Sequence, residues 1–144
     1  MRRPTPKRKP CSKPRPQPAS NPLTLRGLHV GWAWIVISSN ALAGIWALAA
    51  LKLPQLRTRA LWWFTVAAEV SIFVQVALGV AAMNADDLHP AKFHMFYGFV
   101  AIFAVAIIYS YREQMKHRLY LLYGLGGLFI MGLGIRALLV GQVS

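Results

Sequence analysis

The stretch Leu28–Leu51, LHVGWAWIVISSNALAGIWALAAL, contains no Asp, Glu, Lys or Arg in 24 residues. At about 1.5 Å of rise per residue, about 20 such residues cross a hydrocarbon core roughly 30 Å thick. The run therefore reads as a membrane-spanning helix. It exceeds the roughly 7–15 residues of a signal-peptide apolar core, so Ala41–Ala43 and Ala47–Ala49 are not read as cleavage sites.

Three more apolar runs follow, at about 61–83, 93–111 and 119–140. Trp62 and Trp63 open the second, Phe93, Phe96 and Tyr97 the third, and Tyr120 and Tyr123 the fourth. Aromatic rings collect at membrane interfaces in this way. Lipid offers no partners to backbone N–H and C=O groups, and no alternating strand pattern for a barrel is present, so the spans must be helical. Short connections then make neighbouring helices antiparallel. The expected fold is all-α: a four-helix antiparallel transmembrane bundle over 25–144, preceded by a disordered basic tail over 1–24.

Composition agrees, with 56% hydrophobic residues and a mean hydropathy of +0.44, high for a soluble chain of 144 residues. The net charge of +12 would suit a nucleic-acid partner if it lay on a folded face. Instead Arg2, Arg3, Lys7, Arg8, Lys9, Lys13 and Arg15 supply seven of the sixteen basic residues. Seven of the nine prolines also fall before residue 23, so this segment has too little apolar surface to offset the entropy of ordering. It reads as a polyproline-like arm near anionic headgroups, and no nucleic-acid partner is expected. Cys11 is the sole cysteine, which excludes an intramolecular disulfide and a cysteine-based metal site.

Charge gives conflicting signals for orientation. Lys52, Arg57, Arg59, Arg112, Lys116 and Arg118 lie in the first and third loops, whereas the second carries Asp86, Asp87 and Lys92. The positive-inside tendency puts the first and third loops in the cytoplasm, yet the tail would then have to cross the membrane. The tail tips the balance towards cytoplasmic termini.

Small residues mark expected packing faces: Ser39, Ala43 and Ala47 on the first helix, and Gly126 and Gly134 on the fourth. Each half also reads as a span opening with a histidine, a basic loop and an aromatic start. Ala77-Leu78-Gly79-Val80 resembles Gly132-Leu133-Gly134-Ile135, as two duplicated helical hairpins would.

Polar groups inside the spans are the candidate sites, because they are costly in lipid. Glu69 falls near mid-bilayer at the depth of Asn40 on the antiparallel first helix. It could carry a proton, or tie the helices together with Asn40 and Gln75. His29 and His94 open two parallel helices at the same end of the bundle, where two neutral imidazoles could ligate a haem b axially; the plainer alternative is a pair of interfacial histidines. Arg136, near the end of the fourth helix, is expected to snorkel to headgroups or to bond terminal carbonyls, with an anionic site shared with His29 and His94 as the alternative. His89 with Asp86 or Asp87 is a remoter metal candidate.

The segment Lys92-Phe93-His94-Met95-Phe96-Tyr97-Gly98-Phe99, with Tyr109-Ser110-Tyr111-Arg112 and Leu119-Tyr120-Leu121-Leu122-Tyr123-Gly124, looks like a group of small four-span membrane proteins of high-GC Gram-positive bacteria. The resemblance covers about 25–141, brings no activity with it and implies a multi-pass protein of a bacterial plasma membrane.

No nucleophile with a base, phosphate loop or paired intramembrane carboxylates is present, which argues against an enzyme. The first expectation is a non-enzymatic membrane component or accessory subunit, binding lipid and a membrane-protein partner or a second copy of itself, with no cofactor. The alternatives are a proton-coupled permease using Glu69 and a bis-histidine cytochrome using His29 and His94.

Overall fold

The computed structural model describes residues 24–86 and 92–142. Within them lie four long helices and no strand: α1 (Leu25–Lys52), α2 (Arg59–Asp86), α3 (Lys92–Tyr111) and α4 (Leu119–Gln142). All four are long and apolar enough to cross a membrane, so the chain is a polytopic membrane protein with an all-α bundle fold. The expectations for the basic tail, Cys11, Asp87 and His89 lie outside the described residues.

The 20 residues of α3 match a core about 30 Å thick. At 28 residues each, α1 and α2 run past their apolar stretches, because helical hydrogen bonding continues into the interface where the apolar pattern has stopped. Both ends of α1 are capped. Thr24 Oγ1 accepts from the Gly27 N–H at 3.1 Å. At the other end the Arg57 guanidinium donates to Ala50 O (2.8 Å) and Leu51 O (3.2 Å), satisfying carbonyls that the helix leaves free.

Helix α1 packs closely on α2 and α4, and α3 on α4, while α2 and α3 touch only sparsely. The tight seam is α1–α4, where the backbones meet: a Cβ on Gly44 would lie 2.9 Å from Gly124 O, and one on Gly127 2.9 Å from Asn40 O. Ala43, Ala47 and Ala50 are buried along the same helix. The two glycines singled out in the sequence have different roles: Gly134 receives Ile37 of α1, and Gly126 receives Ile108 of α3. Helix α4 has two neighbours, so its glycines divide between two faces.

Val36, Ile72, Ala104, Val105, Ile108 and Ile130 fill the centre. Large apolar side chains such as Trp34, Leu42, Phe73, Phe103 and Phe129 point outward. That exterior suits hydrocarbon, not water.

Candidate functional site

Because α1 and α3 run in the same direction, His29 and His94 arrive at the same end of the bundle, each within about one turn of its helix start. Their rings meet inside it, with centroids 5.8 Å apart and planes at 72°. Each ring is held by the helix that follows it in sequence. His29 Nδ1 lies 3.1 Å from Gln75 O on α2, and His94 Nδ1 lies 2.9 Å from Ala137 O on α4. A carbonyl only accepts, so each Nδ1 is the donor, and in the neutral ring Nε2 is the nitrogen with the lone pair.

A glycine stands four residues after each acceptor: Gly79 after Gln75, and Gly141 after Ala137. In a helix, the residue at i+4 sits beside the carbonyl of residue i, and its side chain would block a lateral donor. A Cβ on Gly79 would lie 2.9 Å from His29 Cε1, and one on Gly141 2.8 Å from His94 Nδ1. Glycine is what lets each imidazole reach its carbonyl. The unit of histidine, carbonyl and glycine thus occurs once in each helical hairpin, with Gly141, and not Gly134, as the counterpart of Gly79.

Around the pair, Gln75 Nε2 approaches His29 Nε2 at 3.4 Å, while the buried Gln75 Oε1 has no partner. Trp32 Nε1 donates to Ser71 O at 3.0 Å, and Asn40 Nδ2 to Ala68 O at 3.2 Å. Three polar side chains of α1 therefore bond successive carbonyls on one face of α2.

The other candidates separate from one another. Asn40 is fully buried but bonds Ala68 O and its own-helix Val36 O (2.9 Å), not the Glu69 carboxyl. Glu69 is half-buried, and among the described residues its carboxyl accepts no hydrogen bond. Gln75 turns to His29. Arg136 lies on the exposed face of α4, where its Nε donates to Tyr97 Oη at 3.4 Å, so it does not converge with the histidines. No group of three His, Cys, Asp or Glu side chains able to hold a metal ion occurs among the described residues.

Gly141 and Trp32 do not stand out in the sequence, and Gly79 stands out there only as part of a repeat, not as the seat of His29. The signal available for the glycines was a residue without a Cβ four positions beyond a carbonyl level with each histidine.

No family model matches the chain, and no curated protein or solved structure matches it.

Proposed function

We propose that the chain is a small electron-carrying membrane subunit in which His29 and His94 are the axial ligands of one b-type haem. The observation that carries this reading is the matched anchoring of the two rings, each through Nδ1 to a helix carbonyl. Metal-ligating histidines usually donate their second ring nitrogen to a carbonyl or carboxylate, which fixes the tautomer and aims the free nitrogen at the metal. Both histidines have that anchor here, on different helices, and their rings lie edge-on at 72° with centroids 5.8 Å apart. Two metal–imidazole bonds of about 2 Å, with the depth of each ring added, set axial ring centroids about 6 Å apart. The separation here is 5.8 Å.

Two imidazoles leave a free metal ion short of ligands, whereas a porphyrin brings four nitrogens of its own and needs only the axial two. The sparsely packed α2–α3 seam is the side on which such a ring would enter. Gln75 O and Ala137 O would fix the imidazoles that hold the group, and a bound haem would supply one-electron redox chemistry. His29 Nε2 would have to give up its long contact from Gln75 Nε2 to hold the group. With one histidine pair at one end of the bundle, electrons are exchanged at that face with a partner protein or a second copy. This fits an accessory subunit of a bacterial plasma membrane more closely than a self-contained enzyme.

The test is the absorption spectrum of protein purified from haem-replete cells, oxidised and then reduced, with haem and protein quantified. Sharp reduced bands at one haem per chain, lost in His29→Ala and in His94→Ala, are expected. A featureless spectrum from folded protein would refute the proposal.

A second reading attaches to Glu69, whose half-buried carboxyl accepts no hydrogen bond among the described residues. Proton flux into proteoliposomes that is lost in Glu69→Gln would support a permease. Flux equal to that of empty vesicles would exclude it.

A further inference from the structure

On the outer face of the bundle, away from the histidines, α3 and α4 enclose a groove of about 320 Å³. Ala104 and Ile108 form one wall, Leu121, Leu125 and Phe129 the other, and Met115 stands at the mouth; the lining is apolar throughout. Ile108 packs where a Cβ on Gly126 would otherwise be, and this sets the groove's shape. From Leu121 to Phe129 the groove follows α4 for about 12 Å, most of the roughly 15 Å depth of one hydrocarbon leaflet. It runs from the interface towards the bundle's mid-plane.

The mouth opens beside the loop between α3 and α4, where Arg112, Lys116 and Arg118 are all exposed. The loop's only acid, Glu113, pairs with Lys116 (Nζ–Oε2 2.6 Å) and more loosely with Arg112 (Nε–Oε1 3.6 Å). The hydrogen bond from Lys116 holds the Glu113 carboxyl below the usual carboxylate range. Arg118 has no acidic partner among the described residues. The loop therefore keeps a net positive charge at the level of the headgroups.

We infer that this face binds one anionic phospholipid, with an acyl chain in the α3–α4 groove and the phosphate on the basic loop. Two features favour a lipid over a helix of another protein. The groove covers most of the depth of one leaflet, and its single charged end matches a molecule that is apolar along its length and anionic at one tip. Each exposed basic residue near an anionic headgroup contributes about a fivefold preference.

The test is a titration of the delipidated, full-length protein in detergent, read by native mass spectrometry, with dioleoyl phosphatidylglycerol, dioleoyl phosphatidylcholine and inorganic phosphate in separate arms. One phosphatidylglycerol per chain should be retained, at least tenfold more tightly than phosphatidylcholine, with no retention of phosphate alone. Arg118→Gln should weaken phosphatidylglycerol about fivefold. Glu113→Gln, which frees Arg112 and Lys116, should strengthen it. Leu125→Trp, at an exposed position that tolerates a large side chain, should block the groove and weaken both lipids. Equal retention of the two lipids, or phosphatidylglycerol binding unmoved by all three variants, would overturn the inference, as would a lipid-free dimer that Leu125→Trp dissociates.

Discussion

Gly79→Ala tests whether glycine is what seats the histidines. The new Cβ would lie 2.9 Å from His29 Cε1 and 3.3 Å from Nδ1, so the ring must retreat by several tenths of an ångström from a carbonyl already 3.1 Å away. Loss of that hydrogen bond costs about 0.5–1.5 kcal/mol. Overpacking a filled site costs about 1–3 kcal/mol. Against these, alanine in place of glycine favours a helix by about 0.8–1 kcal/mol. The net expectation is a loss of about 0.5–3.5 kcal/mol. Gly132→Ala is the control: a Cβ there meets nothing within 4 Å, so only the favourable helix term remains. Thermal unfolding in mild detergent, followed by circular dichroism, gives the order of stabilities, and the ¹⁵N shifts of the imidazole report whether His29 Nδ1 keeps its proton. Gly141→Ala should behave as Gly79→Ala does, through His94. If Gly79→Ala and Gly132→Ala melt alike with the Nδ1 resonance unmoved, glycine is not what admits the ring.

Gly44→Ala sets a Cβ 2.9 Å from Gly124 O and 3.0 Å from Leu128 N, both backbone atoms, so α1 and α4 must separate. A loss of about 3 kcal/mol or more is expected in the same melting assay, larger than at Gly79, where a side chain can yield. Asn40→Ala removes the buried link from α1 to Ala68 O and should cost about 1–2 kcal/mol, since hydrogen bonds between helices in membranes are individually modest. Glu69→Gln should melt at or slightly above the parent temperature, because the carboxyl accepts no hydrogen bond among the described residues; a drop comparable to that of Asn40→Ala would reveal a structural partner.

The architecture was legible because hydrophobic length is a coarse property. Any run such as Leu28–Leu51 must span, whatever its neighbours, and the loops around Arg57 and Arg112 are too short for anything but antiparallel packing. The histidine pair was half legible. Parallel helices put His29 and His94 at one end, and Ala43 and Ala47 mark the inward face of α1, but no such stripe fixes the rotation of α3 that brings His94 to His29. Asn40 shows the limit most clearly. Matching depths made the Glu69 carboxyl its natural partner, yet depth says nothing of rotation about the helix, and the amide turned to the Ala68 carbonyl one residue away. Backbone acceptors such as Gln75 O and Ala137 O are invisible in sequence because every residue has one. What distinguishes these two is the missing Cβ at Gly79 and Gly141.

The most direct test of the histidine centre is the electron paramagnetic resonance spectrum of the oxidised protein. Two axial imidazoles on one iron, with planes near the 72° seen here, predict a low-spin ferric signal of the strongly anisotropic kind given by crossed rings, replaced by a high-spin signal or no haem in His94→Ala. A high-spin signal in the parent protein, or a low-spin signal that survives loss of either histidine, would contradict the assignment of His29 and His94 as joint ligands.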